Sequence, residues 1–253
     1  MASQMVVETT GAGDPILFVH GLGGTSNVFT PQVGVLSRFF ECIRPDLPGS
    51  GRTASAGTFT LPGLAGDLAA FLDERGVKSA HVVGHSLGTV VCQHLAVQRP
   101  DLVRSLALIG PLAEPPPPAR AALTDRAAKA RAEGMAGIAD AIVQGGTSAD
   151  TRAHRPEVAA LVREILMRQE PEGYALTCEA LAAVDAADAS RIACPTLLIT
   201  GDEDGTAPPA RVKQLAAAIV GAKMQILDRC GHWTTFERPA EVNNALVNFL
   251  ISQ

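Results

Sequence analysis

The segment Gly84-His85-Ser86-Leu87-Gly88 constrains the fold of this 253-residue chain more than any other feature. It follows an apolar run at residues 80–83 and precedes a segment in which apolar residues recur with helical spacing. A G-x-S-x-G pattern between a strand and a helix predicts a sharp turn that presents the serine hydroxyl at the end of a sheet. We therefore expect Ser86 to be a nucleophile at a helix N-terminus, whose dipole favours negative charge; the alternative is an ordinary helix N-cap.

Short apolar runs elsewhere in the chain predict the rest of this sheet. They lie at residues 16–19, 41–44, 105–109, 196–200 and 224–227, and helical patterns separate them. Because these runs do not alternate with polar residues, they indicate strands that are buried on both faces. The predicted fold class is therefore α/β, with a mostly parallel central sheet flanked by helices.

The pattern changes between residues 112 and 193. A run of four prolines at residues 115–118 predicts an extended, stiff segment. The Ala-rich sequence after it has helical spacing and no clear strand. We interpret residues 112–193 as a helical cap inserted into a core made of residues 1–111 and 194–253. This insertion is expected to lie over one end of the sheet.

A serine hydroxyl is a weak nucleophile unless a base takes its proton. His232 is the predicted base, because it follows the last predicted strand in a loop at the carboxyl end of the sheet. His20 is better placed to brace a glycine-rich loop, and the side chain of His85 should diverge from that of its neighbour Ser86. Of the other histidines, His81 lies in a predicted strand, His94 in a predicted helix and His154 in the insertion.

Three carboxylates follow the predicted strand 196–200 and are candidates for the acid that orients the base. Asp204 is preferred because it lies deeper in the loop than Asp202, the second candidate, while Glu203 is the third. The chain order Ser86, Asp204, His232, with each residue after its own strand, predicts a Ser-Asp-His triad.

The glycine-rich loop at residues 20–24, H-G-L-G-G, follows the predicted strand 16–19. A turn of this kind can direct a main-chain N–H toward a reacting carbonyl, so the amides of Leu22 and Leu87 are the predicted oxyanion hole. The alternative, a dinucleotide-binding loop, requires G-x-G-x-x-G, and its third glycine is absent. Trp233, next to the predicted base, is expected either to line the substrate pocket or simply to pack.

The formal net charge of −5 argues against nucleic acid or an anionic membrane as the main partner. No apolar run approaches the ~18 residues needed to cross a bilayer. No spacing of cysteines marks a metal site. We therefore expect a small-molecule substrate and no cofactor or metal, while self-association into a homo-oligomer is left open.

The cysteines and the N-terminus bear on the compartment. Five cysteines, scattered and odd in number, favour reduced thiols over a disulfide framework. Residues 1–8 carry no basic segment followed by an apolar one, so we expect no signal peptide. Both observations predict a cytoplasmic protein.

Taken together, these segments resemble the α/β-hydrolase superfamily. The matching positions are residues 20–23 (H-G-L-G), 46–51 (D-L-P-G-S-G), 84–88, Gly201 with Asp204 and Pro208, and Gly231-His232. The resemblance implies the α/β-hydrolase fold and a serine hydrolase. Within the insertion, residues 127–135 and 171–175 are similar to the cap of bacterial 3-oxoadipate enol-lactonases, which open a small anionic lactone.

This second resemblance implies an ester or lactone substrate. A carboxylate on that substrate would require a basic residue in the pocket. Arg126, Lys129 and Arg131 are available for it, although a solvated helix face is the simpler interpretation. The loop at residues 20–23 departs from the Asn-Ser-Leu-Gly that those enzymes often have, so the same substrate is not implied.

The predicted function is hydrolysis of a carboxylic ester through an acyl-enzyme, with lactone opening as a favoured subclass. One alternative keeps the same triad for C–C bond hydrolysis or perhydrolysis. A further alternative is a ligand-binding receptor without turnover. Serine at position 86 argues against dehalogenase or epoxide hydrolase chemistry, which uses an aspartate there.

Overall fold

A seven-stranded sheet forms the centre of the computed structural model, which describes residues 5–55 and 57–253. The first four residues of the segment examined for a signal peptide lie outside the described residues. The strands are β1 (Val7–Thr10), β2 (Asp14–Val19), β3 (Phe40–Pro45), β4 (Ala80–His85), β5 (Val103–Ile109), β6 (Thr196–Gly201) and β7 (Lys223–Leu227). Their order across the sheet is β1-β3-β2-β4-β5-β6-β7, and every neighbouring pair is parallel except β1 with β3. The predicted α/β class with a mostly parallel sheet is confirmed.

Helices cover the sheet and fill the long connection between β5 and β6. Those outside this connection are α1 (Thr30–Leu36), α2 (Leu61–Glu74), α3 (Leu87–Gln98), α9 (Pro209–Ala218), α10 (Thr234–Glu237) and α11 (Pro239–Ile251). Those inside it are α4 (Pro117–Glu133), α5 (Ala136–Gly146), α6 (Ala149–His154), α7 (Pro156–Met167) and α8 (Pro171–Ala183). Helices α4 to α8 thus fall within the residues 112–193 predicted as an insertion.

The central strands are buried on both faces, as their unalternating sequences indicate. Every residue of β4 and of β6 is buried, and the parallel register aligns their carboxyl ends. Val19 of β2 pairs with Gly84 of β4, which in turn pairs with Leu108 of β5. The loops that follow β2, β4, β5 and β6 therefore emerge at one edge of the sheet.

Two local predictions differ from the structure. Strand β1 was not predicted because its residues, V-E-T-T, are half-buried or exposed at the sheet edge and form no apolar run. The four-proline run is extended only in its first half, since Pro117 and Pro118 open helix α4. Proline suits the first helical turn because its missing N–H is not needed there and its fixed φ is already helical.

Glycines join the insertion to the core at very short range. A Cβ on Gly173, at the start of α8, would lie 2.8 Å from the Gly49 Cα atom in the loop after β3. A Cβ on Gly231, beside His232, would lie 2.7 Å from the Gly146 carbonyl oxygen at the end of α5. Backbones can approach this closely only without side chains, so both contacts fix the insertion over the carboxyl edge of the sheet.

Candidate active site

Ser86 lies in the sharp turn between β4 and α3. Its backbone has φ 54° and ψ −123°, a conformation that costs a non-glycine residue on the order of 1–3 kcal/mol. The flanking glycines make the turn possible. A Cβ on Gly84 would lie 2.8 Å from the Gly88 carbonyl oxygen, and one on Gly88 would lie 2.7 Å from the His20 carbonyl oxygen. The turn therefore holds the Ser86 hydroxyl at the carboxyl end of β4 and at the N-terminus of α3.

Three of the predicted side chains meet in one hydrogen-bonded chain. His232 Nε2 lies 2.8 Å from Ser86 Oγ, and His232 Nδ1 lies 2.8 Å from Asp204 Oδ2. Because an ionised carboxylate only accepts, Nδ1–H donates to Asp204, and Nε2 is left to accept from the Ser86 hydroxyl. The three residues are 8 %, 9 % and 2 % exposed for Ser86, His232 and Asp204. Side chains in this arrangement can act as a nucleophile, a base and an orienting acid.

The loop after β6, residues 202–208, is called the acid loop, and its other two carboxylates have different contacts from Asp204. Asp202 accepts a hydrogen bond from the main-chain N–H of Cys230 at 3.0 Å, and Glu203 accepts one from that of Ala149 at 2.8 Å. In the part of the chain that the structure describes, neither carboxylate forms a hydrogen bond with His232. The geometry therefore favours Asp204 over the alternatives that the sequence left open.

The electrostatics of the pair suit a base that is charged during reaction. Burial would lower the pKa of His232, but the charge and hydrogen bond of Asp204, together with the charge of Glu237, raise it above its usual value. Burial would raise the pKa of Asp204, but His232 and the main-chain N–H groups of Ala207 and Thr206 hold it below its usual value. Both shifts favour an imidazolium–carboxylate pair.

His85 contacts the main chain of the predicted base, a contact for which the sequence gives no signal. Its Nε2–H donates to the His232 carbonyl oxygen at 2.8 Å, and the two rings lie 5.2 Å apart. Burial lowers the pKa of His85 to about 3, so the ring is neutral at ordinary pH. The sequence predicts only that this side chain diverges from that of Ser86; in the structure it also supports the backbone of His232.

The remaining histidines lie away from the Ser86 hydroxyl. His20 accepts a hydrogen bond from the main-chain N–H of Leu47 at 3.0 Å, which ties the glycine-rich loop to the loop after β3. His81 contacts the Ser105 hydroxyl inside the sheet at 2.8 Å. The last two, His94 and His154, bond to Asp185 and Asp150 near the surface.

The glycine-rich loop packs directly against Ser86. A Cβ on Gly21 would lie 2.7 Å from the Ser86 Cβ atom, and the next residue, Leu22, lines the same cavity as Ser86. Within residues 5–55 and 57–253, the N–H groups of Leu22 and Leu87 donate no hydrogen bond to another protein group. Leu87 is the first residue of α3, where the main-chain N–H groups have no helical acceptor. Both amides are therefore available to a ligand oxygen.

Ser86 and His232 open into a cavity of about 1260 Å³. Helices α4 and α5 of the insertion line one side of it, and the segment from the acid loop into α9 lines the other. Apolar side chains dominate the lining, among them Leu123, Ile138, Ile142, Leu181, Leu215 and Trp233. A mostly apolar cleft with a few convergent polar groups is the usual form of a small-molecule site.

The three basic residues singled out on α4 have different surroundings. Arg126 and Lys129 line the cavity. Arg131 instead forms an ion pair with Glu172 at 2.8 Å and another with Glu179. Lys129 lies 3.8 Å from Glu133 and is half-exposed. The solvated-face interpretation therefore fits Arg131 better than it fits Arg126.

Trp233 both packs and lines the cavity. Its ring stacks on Phe236 at 6.3 Å and lies 5.8 Å from the ring of His85. It is 3 % exposed and forms part of the cavity wall. Its indole N–H has no hydrogen-bond partner among the described residues.

A buried carboxylate near His232 escaped the sequence analysis. Glu237 is fully buried and accepts a hydrogen bond from the main-chain N–H of Trp233 at 3.2 Å. It follows the predicted base by five residues, and no motif that we considered extends that far. Only the fold shows that it lies inside.

Metal-binding clusters and membrane-spanning helices are both absent from the described part of the chain. No group of three or more His, Cys, Asp or Glu side chains there is placed to hold a metal ion. No helix in the same residues is long and apolar enough to cross a bilayer.

This chain is similar over most of its length to known hydrolases. The model of the "Alpha/beta hydrolase family" matches residues 16–245. The enol-lactonase from Burkholderia xenovorans LB400 has a TM-score of 0.92 and 31 % identity, over 98 % of this chain and 96 % of that one. A thermophilic esterase from Thermogutta terrifontis, solved with malate bound, has a TM-score of 0.94 and 28 % identity, over 98 % and 93 %.

One relative by sequence carries a different name. The candidate non-heme bromoperoxidase BpoC from Mycobacterium tuberculosis is 29 % identical across 98 % of both chains. These proteins share nearly the whole length of this chain, so the similarity includes the insertion as well as the core.

Proposed function

We propose that this chain, which belongs to the alpha/beta hydrolase family, hydrolyses carboxylic esters, lactones included, through an acyl-enzyme on Ser86. The family and the predicted α/β-hydrolase fold are confirmed. The observation that carries the proposal is the hydrogen-bonded chain from Ser86 Oγ through His232 to Asp204 at the wall of an apolar cavity.

The first half of the reaction follows from the two 2.8 Å contacts of His232. Ser86 Oγ attacks the ester carbonyl carbon while its proton passes to His232 Nε2. The imidazolium that forms is stabilised by Asp204, which also keeps Nδ1 protonated and Nε2 directed at the serine. The imidazolium then gives the proton to the leaving oxygen as the C–O bond breaks. The alcohol departs and the acyl group remains on Ser86.

The second half repeats these steps with water. His232 takes a proton from a water molecule that attacks the acyl carbon, and then returns a proton to Ser86 Oγ. The carboxylic acid leaves and the serine is restored. For a lactone, the alcohol and the acid are the two ends of one product.

In both halves of the reaction, the negative charge that develops on the carbonyl oxygen needs hydrogen-bond donors. The free N–H groups of Leu22 and Leu87 supply them, and the N-terminus of α3 adds a favourable dipole. Each such donor contributes roughly 3–4 kcal/mol to the transition state in serine hydrolases.

The substrate class rests on the relatives and on the cavity. An enol-lactonase and an esterase share the fold over nearly the whole chain, which supports ester and lactone bonds as targets. The cavity of about 1260 Å³ is larger than most ligand pockets, which hold roughly 300–1,000 Å³. Substrates larger than a simple lactone therefore belong in the test.

The test compares the unmodified protein with Ser86→Ala on p-nitrophenyl acetate and on a small panel of lactones. Loss of the nucleophile should lower kcat by roughly 10⁴- to 10⁶-fold. A p-nitrophenyl phosphonate should transfer its phosphonyl group to Ser86 Oγ of the unmodified protein with release of p-nitrophenolate, which mass spectrometry detects, and should leave Ser86→Ala unlabelled.

The matched control is Ser252→Ala, which removes an exposed hydroxyl at the end of α11 and should keep full activity. Comparable thermal unfolding of all three proteins separates loss of chemistry from loss of fold. Ester turnover by Ser86→Ala at the unmodified rate would refute the acyl-enzyme.

A further inference from the structure

Glu237 is a fully buried carboxylate that the proposed reaction does not use directly. Its Oε2 accepts from the Ser148 main-chain N–H at 2.7 Å and from the Thr151 hydroxyl at 2.8 Å. Its Oε1 accepts from the Trp233 main-chain N–H at 3.2 Å. Two of these donors belong to the insertion and the third follows the base, so one side chain joins the two parts.

No cation neutralises this carboxylate within the described ranges. Two arginines, Arg155 and Arg238, donate to the main-chain carbonyl oxygen of Glu237 rather than to its carboxylate. Their ion pairs are with Glu157 and Asp150. Burying a carboxylate without an ionic partner is costly, and buried groups of this kind concentrate where a protein uses their charge.

The position of Glu237 shows which group its charge reaches. Its Oε1 would lie 2.8 Å from a Cβ on Gly231, and it accepts from the N–H of Trp233. The carboxylate thus contacts the residues on both sides of His232. The backbone of His232 is held in the same way, since its N–H donates to the Gly146 carbonyl oxygen at 2.8 Å.

We propose that Glu237 is a positioning residue for the hydrolytic site: it ties the insertion to the loop of His232 and supplies a second negative charge behind the base. The inference rests on the proposed function, because it assigns Glu237 a role in proton transfer by His232. It also gives the insertion a part in catalysis, since Ser148 and Thr151 hold the carboxylate in place.

The electrostatic effect can be separated from those of the other groups that face His232. Asp204 contacts Nδ1 from the loop after β6, and His85 contacts the carbonyl oxygen from the end of β4. Burial keeps His85 neutral, with a pKa of about 3. Cys230 and the two arginines lie around Glu237 and are the same in every variant below. Removing the charge of Glu237 should therefore lower the pKa of His232, because a nearby negative charge favours the imidazolium.

The experiment is the pH dependence of kcat/KM on p-nitrophenyl acetate for the unmodified protein and for Glu237→Gln. The base works only when neutral, so activity falls on the acid side with the pKa of His232. In Glu237→Gln this acid limb should move to lower pH by roughly 0.5–1 unit. The value of kcat at the plateau should fall, because the imidazolium formed in the transition state loses part of its stabilisation.

The matched control is Glu203→Gln. Glu203 also accepts a hydrogen bond from the start of α6, at the Ala149 N–H, but its charge does not contribute to the pKa shift of His232. Glu203→Gln weakens a contact with the insertion but removes no charge that raises the pKa of His232, so its acid limb should stay at the pH of the unmodified protein. A merely structural role for Glu237 would make the two variants alike.

Glu237→Asp carries the test if the glutamine variant does not fold. It keeps the charge but shortens the side chain, so its acid limb should stay near that of the unmodified protein while kcat falls several-fold. An acid limb unchanged in Glu237→Gln, or an unchanged kcat in Glu237→Asp, would overturn the inference alone. Failure of the unmodified protein to cleave esters or to label Ser86 would instead overturn the proposed function.

Discussion

Asp204→Asn is the substitution whose outcome the structure defines most closely. The Oδ1 atom of Asp204 accepts two main-chain hydrogen bonds, from Thr206 at 2.9 Å and Ala207 at 2.8 Å. An asparagine has only one side-chain oxygen, and these two donors require it at the Oδ1 position. Its NH₂ group must then take the Oδ2 position, 2.8 Å from His232 Nδ1. Two donors cannot face each other, so Nδ1 becomes an acceptor.

The consequence at the other end of the ring is a proton on Nε2, where it faces the Ser86 hydroxyl. The histidine can no longer accept the serine proton without first changing tautomer. In serine proteases the same reversal lowers kcat by about 10⁴-fold, and we expect about 10³- to 10⁴-fold here. The pKa of His232 should also fall, because the charge and hydrogen bond of Asp204 raise it more than the charge of Glu237 does. Residual activity should therefore have its acid limb at lower pH.

Steady-state hydrolysis of p-nitrophenyl acetate between pH 5 and pH 9 measures both effects, with a thermal melt to establish that the variant is folded. Asp202→Asn is the control. Its Oδ1 accepts from the Cys230 N–H, which an amide oxygen can replace, so activity should fall by less than about 10-fold. A larger loss in Asp202→Asn than in Asp204→Asn would refute the assignment of the acid.

Other predictions concern stability and substrate size. Gly173→Ala should destabilise the protein by about 1–3 kcal/mol, as urea unfolding would show, because the new Cβ would meet the backbone at Gly49. Gly66→Ala, in an open part of α2, should instead be neutral or stabilising. Equal losses of stability in the two variants would contradict the close contact between Gly173 and Gly49. As the pH falls from 6.5 to about 3, the unfolded chain binds a proton at His85 that the folded protein excludes, because burial lowers the pKa of His85 to about 3. The free energy of unfolding should therefore fall by about 1.4 kcal/mol for each pH unit. A folded His85→Gln should show a flatter pH profile, and an unchanged slope would count against this cause. Finally, kcat/KM should rise from p-nitrophenyl acetate to the hexanoate by up to about 4-fold per CH₂, whereas a flat series would place the acyl chain outside the cavity.

The sequence predicts the sheet well because its central strands have strong local signals. Runs such as residues 80–83 and 196–200 are apolar without alternation, and each ends in a motif that turns the chain. Strand β1 lacks such a signal, since it lies at the edge and pairs antiparallel with β3 only after the chain has folded. Pairing between distant segments is a tertiary property that local composition does not encode.

The candidate site divides in the same way. Motifs in the sequence predict Ser86 and His232, and the two side chains are in contact in the structure. The choice of Asp204 over Asp202 depends on which carboxylate points inward, and residues two apart in a loop give little indication of that. The triad roles and the oxyanion amides stay predictions until the variants are measured. The cytoplasmic location also stays a prediction.

His85 and Glu237 could not be predicted, because their roles arise from contacts across the fold. His85 is separated from His232 by 146 intervening residues, and Glu237 from Ser148 by 88, yet each pair forms a hydrogen bond. The basic residues of α4 show the same limit. Arg126 and Arg131 are five positions apart on one helix, but only the packing of α8 decides that Arg131 pairs with Glu172.

The glycine contacts between the insertion and the core also set a rule for recombining this chain with its relatives. A chimaera that takes residues 112–193 from another protein must bring glycine at the position of Gly173, where the backbone meets Gly49. The recipient must keep glycine at the position of Gly231, where the backbone meets Gly146. Chimaeras that meet both conditions should acquire the donor's substrate preference and keep the residues of the hydrolytic site. Chimaeras that break either condition should move the helices that line the cavity away from His232. Compatibility between a donor and a recipient can thus be judged from a few alignment columns before any gene is assembled.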